Sequence, residues 1–237
     1  MKQEQKLKID LDKENMPQHV GIILDGNRRF AKKLMLEPWK GHELGADKIK
    51  QVFEWVKDIG VKELTLYCFS LENFDRPKRE FDFLIKTFKK EFKRLKKDSQ
   101  VHEEKIKIKF VGQIELFDQE LQESIKDVEN ATKNYDNYTV NFALAYGGRQ
   151  EIIHAIKELS ESGDAITEEN LKKRLWLTSD PDLIIRTGGD RRTSNFLPWQ
   201  SVYSEWIFLD KTWPEFEYED WVNCINDFME RERRFGK

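Results

Sequence analysis

The sequence predicts an α/β fold: one domain with a mostly parallel, six-stranded central sheet flanked by helices. Short stretches typical of strands alternate along the chain with longer stretches of helical spacing, and this alternation is typical of βαβ crossovers. A chain of 237 residues is long enough for one large α/β domain. No internal repeat, linker or low-complexity tract divides it. We therefore expect a single domain at residues 16–237, after a polar tail at residues 1–15.

Six runs of apolar and β-branched residues predict the strands of this sheet. The first, at residues 20–24, is a run of five largely apolar residues that ends at Asp25. The remaining strands are predicted, in order, at residues 63–69, 106–111, 139–144, 183–186 and 206–209. Runs of this kind are typical of strands that are buried on both faces, as the strands of a parallel sheet are.

Between these runs, apolar residues recur every three or four positions, which predicts helices. The helices are predicted at residues 42–59, 78–97, 114–133 and 149–160, with shorter ones at 168–175 and 218–230. The helix at residues 78–97 carries an apolar stripe opposite a basic side. The stripe comprises Phe81, Phe83, Leu84, Ile85, Phe88, Phe92 and Leu95, and the basic side comprises Lys86, Lys89, Lys90, Lys93, Arg94, Lys96 and Lys97. One interpretation is ordinary core with a solvated face, and the other is the wall of an apolar tunnel with a basic face near anionic lipid headgroups.

Composition and charge exclude several classes of protein. The chain carries 41 Lys and Arg residues against 44 Asp and Glu residues, and its net charge of −3 argues against a nucleic-acid-binding protein. No stretch approaches the 18 consecutive apolar residues of a membrane span, and the polar N-terminus lacks the apolar core of a signal peptide. Cys68 and Cys224 lie far apart and in no metal-ligand spacing, which is typical of buried thiols in a reducing compartment. We expect a cytoplasmic protein.

The segment after the first predicted strand combines a carboxylate with two guanidinium groups. Asp25, Gly26 and Asn27 are followed directly by Arg28 and Arg29. In open α/β sheets, ligands bind at the carboxyl ends of the strands. Arginines at such an end suit a diphosphate, and a carboxylate suits the hard divalent cation that this anion carries. The alternative is a plain Asp-Gly-Asn turn followed by solvated arginines.

Polar clusters with arginine also follow other predicted strands. They contain Arg76, Arg149, Arg186 and Arg192, each close to Gly, Ser or Asn residues. The carboxyl ends of parallel strands meet at one edge of a sheet, so we expect these arginines to surround one cleft. So many positive charges need anionic partners, and two diphosphates would supply them. A nucleotide is disfavoured, because neither G-x-x-x-x-G-K-[ST] nor G-x-G-x-x-G is present.

These segments carry a resemblance to a known family. Residues 19–33 resemble the opening motif of the cis-prenyltransferases, the family of undecaprenyl diphosphate synthase and dehydrodolichyl diphosphate synthase. Further motifs of the family are matched in order at residues 41–42, 67–77, 146–149, 182–189, 192–196, 199–200, 203–205, 213–214 and 231–236. The resemblance covers nearly the whole chain after residue 16. It implies the fold of these enzymes, with an apolar tunnel for the growing chain.

The resemblance also implies an activity. Members of the family join isopentenyl diphosphate to an allylic prenyl diphosphate, with Mg²⁺ as cofactor, and the new double bond is cis. The expected product is a medium- or long-chain polyprenyl diphosphate that serves as a precursor of glycosyl carrier lipids. A homodimer and contact with the membrane periphery during product release are expected as well. No Asp-Asp-x-x-Asp motif is present, so trans-prenyltransferase chemistry is not expected.

The functional residues of the family map onto positions of this chain. The resemblance implies that Asp25 and Glu205 hold Mg²⁺, and that Asn73 lies near the reacting carbons, where an amide positions the group that takes the proton. The residues implied for the allylic diphosphate are Gly26, Asn27, Arg28, Arg29, Phe30, His42, Ser70, Leu71, Glu72, Phe74 and Arg76. Those implied for isopentenyl diphosphate are Arg186, Arg192, Thr193, Ser194, Arg234 and Gly236. The C-terminal tail is expected to fold over this second substrate, from the same or from a second subunit.

One departure from the family pattern leaves the allylic substrate open. Bacterial and eukaryotic relatives are expected to carry Arg four residues before His42, where this chain has Pro38. Residues 36–42 and Arg28 look more like archaeal members. Two alternative functions follow: a same-fold enzyme that uses dimethylallyl diphosphate as acceptor in an irregular linkage, and a non-catalytic accessory subunit. The presence of the implied metal and diphosphate residues weighs against both.

Overall fold

All six predicted strands and all six predicted helices form in the structure, some with shifted boundaries. The computed structural model describes residues 15–232, so the predicted tail before Asn15 and the last five residues lie outside the described part. The strands are β1 (His19–Ile23), β2 (Glu63–Ser70), β3 (Ile106–Val111), β4 (Tyr138–Tyr146), β5 (Leu183–Arg186) and β6 (Glu205–Phe208). The helices are α1 (Asn27–Lys33), α2 (Lys40–Ile59), α3 (Lys78–Leu95), α4 (Ser99–Glu103), α5 (Gln119–Thr132), α6 (Gly148–Ser162), α7 (Glu168–Arg174) and α8 (Tyr218–Glu230). Short 3₁₀ helices at Leu71–Asp75, Ile114–Leu116 and Trp213–Glu215 lie in the connections.

The strands form one sheet in the order β3-β4-β2-β1-β5-β6. Every neighbouring pair of the described sheet is parallel, which confirms the predicted architecture and makes it parallel throughout. The chain leaves β1 toward β2 on one side, and it later reaches β5 on the other side. The strand order therefore changes direction at β1. In open α/β sheets such a switch point is where ligands bind, at the carboxyl ends of the strands.

Helices cover both faces of the sheet. Alternate strand residues, such as Val20 and Ile22 of β1, pack against α2, α3, α5 and α8 in the larger core. Ile23 points to the opposite face of the sheet, into a second core that contains Tyr146 and Phe196. A third cluster of apolar residues packs α6 against α7. Successive side chains of a strand point to opposite faces, so both faces need apolar residues here. Among residues 15–232, none of the helices has both the length and the apolar character of a membrane-spanning segment.

Local caps explain where the structure departs from the predicted helix boundaries. The helix predicted at residues 114–133 begins only at Gln119, because Asp118 caps it by accepting a hydrogen bond from a backbone N–H of the first turn. The preceding residues form a 3₁₀ turn instead. The Asp-Gly-Asn segment does not form an isolated turn but leads into α1, and α4 follows its cap Asp98. The sequence pattern predicts neither of these two short helices.

Two glycines let α1 pack closely against α2. A Cβ atom on Gly41 would lie 1.9 Å from the Asn27 carbonyl oxygen, and one on Gly45 would lie 2.4 Å from Asn27 Oδ1. A larger residue would push the helices apart at either position. The Trp213 indole donates a hydrogen bond of 2.8 Å to the Gly45 carbonyl, which ties α2 to the segment before α8. These contacts fix the start of α1, and with it Asp25, against α2.

Candidate active site

A cavity of about 620 Å³ lies at the carboxyl ends of β1, β2 and β5, where the strand order changes direction. Its polar lining residues include Asp25, Asn27, His42, Ser70, Glu72, Asn73, Arg76, Arg186, Arg192 and Ser194. Its apolar walls include Phe53, Phe69, Leu84, Phe88, Phe92, Leu95 and Phe142. The volume is that of a typical small-molecule site. The structure therefore joins charged groups at the sheet edge to an apolar space between the sheet and α2 and α3.

Asp25 lies between two arginines that come from different parts of the chain. Its Oδ1 atom is 3.0 Å from Arg29 Nη2 on α1, and its Oδ2 atom is 2.9 Å from Arg186 Nη2 at the end of β5. Burial alone would raise the pKa of Asp25, but hydrogen bonds and charge from Arg186 and Arg29 outweigh it and hold the pKa below its usual range. The Asp25 carbonyl oxygen accepts a hydrogen bond of 2.8 Å from the Thr187 hydroxyl and one of 2.9 Å from the backbone N–H of Trp213. Asp25 is thus an ionised carboxylate on a fixed backbone.

The loop between β5 and β6 brings Arg186, Arg192 and Ser194 together. The Arg186 Nη1 atom donates to Ser194 Oγ at 2.8 Å and also to the Arg192 carbonyl oxygen. The Arg186 Nε atom is buried and has no hydrogen-bond partner among the described residues. Gly188 makes the turn possible, because its φ is 94° and a Cβ atom there would lie 2.8 Å from Arg29 Nη2. This grouping is the one the sequence predicts for isopentenyl diphosphate.

Asp190 connects this group to Arg29. Its carboxylate accepts hydrogen bonds of 2.9 Å from both terminal nitrogens of Arg192, and one of 3.1 Å from Arg29 Nη2. The sequence pattern does not single out Asp190 as functional. The sequence signal for Asp190 is its position between Arg186 and Arg192, in the same strand-end cluster.

A second group of basic side chains surrounds Glu80 on α3. Its Oε1 atom lies 3.1 Å from Arg76 Nη1, 3.5 Å from His42 Nε2 and 3.8 Å from Arg28 Nε. Burial lowers the pKa of His42, so the ring is neutral near pH 7. The hydrogen bond with His42, aided by the charges of Arg76 and Arg28, holds the pKa of Glu80 below its usual range despite burial. Three predicted ligands of the allylic diphosphate therefore share one carboxylate oxygen.

Asn73 lies in the 3₁₀ helix that follows β2. The Ser70 N–H donates to Asn73 Oδ1 at 3.1 Å, and the Ser70 side chain accepts from the Asn73 backbone in return. The amide oxygen is therefore engaged, and the nitrogen, a donor, is what Asn73 offers to a ligand in the cavity. This supports a positioning role for Asn73 over a role as a base.

Aromatic rings form the deeper walls of the cavity. Phe88 and Phe92 of α3 stack with ring centroids 5.8 Å apart, and Phe92 also contacts Phe142 of β4 at 6.1 Å. Both α3 rings line the cavity, so the tunnel interpretation fits them better than plain core does. Cys68 lines the same space, whereas Cys224 is buried as expected.

Glu205 does not lie beside Asp25 within one chain. It opens β6 in register with Leu183, at the amino end of the sheet, whereas Arg186, beside Asp25, is in register with Phe208. Its carboxylate is 2.7 Å from Arg231 Nη1. The expectation that Glu205 completes a metal site with Asp25 is therefore wrong for a single chain, because both residues belong to parallel strands but to opposite ends of them.

Several other predicted residues do not line the cavity. These are Gly26, Arg28, Arg29, Phe30, Leu71, Phe74 and Thr193. Arg29 is still joined to a lining residue by its ion pair with Asp25, whereas Arg28 pairs with Glu80, which does not line the cavity either. The Phe74 ring instead contacts Phe69, Phe81 and Phe117. Arg149 is exposed and does not line the cavity, and Arg234 and Gly236 lie outside the described residues.

The donor set fits Mg²⁺ bound together with substrate. Among residues 15–232, no three His, Cys, Asp or Glu side chains converge on a common point where they could hold a metal ion. Mg²⁺ is commonly held by one or two carboxylates together with substrate phosphates, and not by a cage of protein ligands. The ionised Asp25, beside guanidinium groups that suit a diphosphate, matches this arrangement.

Comparisons with known proteins agree with the fold. Residues 23–236 match the family model of undecaprenyl diphosphate synthase. The chain is 44% identical over 243 residues to the tritrans,polycis-undecaprenyl-diphosphate synthase (geranylgeranyl-diphosphate specific) of Methanopyrus kandleri, covering 99% of this chain and 90% of that protein.

Two solved structures resemble the present one closely. Lavandulyl diphosphate synthase from Lavandula x intermedia, in complex with dimethylallyl diphosphate, superposes with a TM-score of 0.90 at 30% identity, over 94% of this chain and 100% of that one. A probable undecaprenyl diphosphate synthase from Campylobacter jejuni superposes with a TM-score of 0.81 at 31% identity, over 93% and 99% of the two chains.

Proposed function

Because this chain belongs to the undecaprenyl diphosphate synthase family and is a prenyltransferase, we propose that it joins isopentenyl diphosphate to an allylic prenyl diphosphate through a new cis double bond. Repeated additions give a medium- or long-chain polyprenyl diphosphate, the precursor of a glycosyl carrier lipid. The observation that carries the proposal is the junction of an arginine-rich sheet edge with an apolar cavity. A substrate with a diphosphate head and a prenyl tail has the matching chemistry.

The two groups of basic and polar side chains are assigned to the two diphosphates. Arg28, Arg76 and His42 bind the allylic diphosphate, together with Arg29. Arg186, Arg192 and Ser194 bind isopentenyl diphosphate. This division is supported by the ion pairs, because Glu80 gathers the first set and the β5–β6 loop gathers the second. Arg29 lies at the boundary, within reach of both Asp25 and Asp190.

The chemistry follows from where charge develops. When the allylic C–O bond breaks, negative charge grows on the departing diphosphate, and guanidinium groups that are already oriented stabilise it. Mg²⁺ supplies Lewis-acid stabilisation of the same charge when bound, and Asp25 would hold it. Asn73 donates from its amide nitrogen and orients the group that takes the proton lost by isopentenyl diphosphate. The aromatic walls keep water from the growing chain.

Geranylgeranyl diphosphate is the allylic substrate we favour. The relative from Methanopyrus kandleri is named as specific for this substrate. In this chain, the apolar lining of α3 runs from Leu84 to Leu95, which is about 16 Å at 1.5 Å per residue. A long prenyl tail makes use of this length, and a five-carbon tail does not.

The second candidate is an enzyme that uses dimethylallyl diphosphate as acceptor and forms an irregular linkage. The similarity to lavandulyl diphosphate synthase, solved with dimethylallyl diphosphate, favours it, and Pro38 leaves it open. The deep apolar cavity and the complete Arg186, Arg192 and Ser194 group support the first candidate instead. The accessory-subunit alternative is set aside, because the similar proteins are named as synthases.

Further features of the proposal concern the assembly. We expect a homodimer, a tail that carries Arg234 and Gly236 over isopentenyl diphosphate, and a cytoplasmic enzyme that meets the membrane periphery. The basic side of α3 gives little support to lipid contact, because Lys89 and Lys93 pair with Glu120, and Lys96 pairs with Asp127. These lysines fit the alternative of a solvated face.

One assay separates these functions. The protein is incubated with labelled isopentenyl diphosphate, Mg²⁺ and one partner at a time: dimethylallyl, geranyl, farnesyl or geranylgeranyl diphosphate. The dephosphorylated products are then resolved by chromatography. We expect a ladder of long prenols, most abundant with geranylgeranyl diphosphate. A parallel incubation holds labelled dimethylallyl diphosphate and Mg²⁺ without isopentenyl diphosphate. A ten-carbon product in that incubation would establish the second candidate, and no product in any incubation would refute both.

A further inference from the structure

We propose that Glu80 is a positioning residue for the allylic substrate: its buried carboxylate gathers Arg28, His42 and Arg76 from three separate elements and holds them in the geometry that receives the diphosphate. The inference rests on the proposed function. The substrate class it names is a prenyl diphosphate with any tail, because the contacts of Glu80 concern the head group alone.

Packing in the core does not by itself explain why Glu80 is buried. It lies in the first turn of α3, where a negative charge is favourable near the helix N-terminus, and only 3% of it is exposed. A carboxylate rarely stays buried unless it is paired. Here it is paired three times through the same Oε1 atom, at 3.1 Å from Arg76, 3.5 Å from His42 and 3.8 Å from Arg28.

The three partners come from α1, α2 and the segment before α3. Without a shared anion, the guanidinium groups of Arg28 and Arg76 would repel each other beside a desolvated His42 ring. Burial lowers the pKa of Arg76 and the charge of Arg28 lowers it further, whereas Glu80 raises it. Glu80 therefore offsets the cost of bringing two cations together before any substrate arrives.

The exposures show which side faces the ligand. The Glu80 side chain is 4% exposed, whereas the Arg76 side chain is 23% and the Arg28 side chain 55% exposed. The carboxylate is therefore less accessible to a ligand than either guanidinium group. An incoming diphosphate meets donors whose orientation is already set, which reduces the ordering cost of binding.

Substitutions of Glu80 test this directly. Glu80→Ala removes the shared acceptor, and Glu80→Gln keeps an oxygen in nearly the same place without the charge. Binding is measured by titration calorimetry with three ligands. Farnesyl thiodiphosphate and geranylgeranyl thiodiphosphate are unreactive analogues of the allylic substrate, and isopentenyl diphosphate is added without an allylic partner. Asp82→Ala is the matched control, because Asp82 is an acidic residue on the same helix that pairs with the exposed Lys78.

We expect Glu80→Ala to raise Kd about tenfold for both thiodiphosphates, by the same factor, and to change Kd for isopentenyl diphosphate less than twofold. Glu80→Gln should recover only part of that loss, because it restores an acceptor oxygen but not the negative charge between the two guanidinium groups, and Asp82→Ala should match the wild type. Steady-state kinetics should show KM for the allylic substrate rising with Glu80→Ala while kcat at saturation changes less.

Other results overturn the inference in recognisable ways. A factor that depends on tail length would mean that α3 has shifted along the tunnel. An equal loss for isopentenyl diphosphate would mean general damage to the site, and tighter binding of the thiodiphosphates would mean that Glu80 only weakens the positive potential. If the wild type itself bound neither thiodiphosphate, the proposed function would fail, independently of Glu80.

Discussion

Asp25 is an anion held between two cations, and we expect catalysis to depend on it. We expect Asp25→Asn to lower kcat at least about a hundredfold, because the side chain then holds no cation and no longer orients Arg29 and Arg186. Circular dichroism should show an intact fold, since Asp25 belongs to no apolar core. Near-normal turnover of this variant in saturating Mg²⁺ would contradict the metal role.

Glu205→Ala is the companion to this experiment. If Glu205 contributes to the metal site of another chain, this variant should lose activity, and excess Mg²⁺ should partly restore it. If Glu205 serves only its ion pair with Arg231, added Mg²⁺ should change nothing.

Asp25 also couples stability to pH. Although burial acts in the opposite direction, Arg186 and Arg29 hold its pKa below the usual Asp value, so the folded state favours the ionised form. The stability that this provides is present above the unfolded pKa, about 4, and is lost as pH falls through the lower folded pKa. Urea unfolding at pH 6 should show Asp25→Asn less stable than wild type by about 1–3 kcal/mol. The difference in unfolding free energy between the two proteins should shrink as pH falls below 4. A difference that stays constant would mean that these ion pairs do not make the stability depend on pH.

The two diphosphate groups can be separated by single substitutions. Ser194→Ala removes an acceptor of Arg186 and should raise KM for isopentenyl diphosphate about tenfold, with a much smaller change for the allylic substrate. Arg29→Ala should show the opposite preference. Both constants are obtained by varying one substrate at saturating levels of the other. Equal effects on both substrates from both variants would argue against two distinct anion sites.

At the scale of elements, α3 and β4 should control the length of the product. Phe88 and Phe92 line the cavity, so replacing either by Ala deepens the tunnel and should shift the prenol ladder toward longer chains. Phe92→Ala should also cost about 3–5 kcal/mol of stability, because the ring is buried. Phe110→Ala is the matched control: its ring packs on Phe92 at 4.8 Å but does not line the cavity. It should lose stability without changing the ladder, and an unchanged ladder for all three would make these rings plain core.

The elements show what sequence patterns can and cannot predict. The inner strands β1, β2, β4 and β5 follow from largely apolar runs, because both faces of an inner strand are covered, whereas the edge strand β3 alternates Ile and Lys at residues 106–109. Helix starts depend on single capping residues, so α5 begins at Gln119, after Asp118, where periodicity alone extends it to residue 114. The short α1 buries little apolar surface and gives no periodic signal; its position follows from Gly41 and Gly45 on α2.

The residues of the site also divide into those that the sequence could predict and those that it could not. Strand-end arginines could be predicted, since parallel topology brings them to one edge. Their partners Glu80 and Asp190 could not, because an acidic residue in a first helical turn, or beside arginines in a loop, has several ordinary explanations. The wrong pairing of Glu205 with Asp25 has a topological cause: the motif gives a residue type, and only the strand register shows which end of the sheet it occupies.

At the scale of the whole molecule, the expected homodimer has a consequence for the C-terminal tail. Deleting residues 233–237 should raise KM for isopentenyl diphosphate strongly. If the tail acts on a second subunit, mixing this truncated chain with Asp25→Asn should restore activity to about a quarter of the wild-type level, because half of the random dimers contain one complete site. The mixture is refolded together and assayed against each variant alone. No recovery would place the tail on its own subunit.

The placement of β1 between β2 and β5 also governs how the chain is made. β1 emerges from the ribosome first of the strands, but its second neighbour, β5, begins at Leu183. At about 5–20 residues per second, the nascent chain spends on the order of ten seconds with β1 as an unpaired edge. Such an edge is a template for aggregation, and Asp25 at its end has no Arg186 to neutralise it. Prematurely terminated chains should therefore be inactive and prone to aggregation. A cell that makes this protein must either complete its synthesis or cover the exposed edge of β1 with a chaperone.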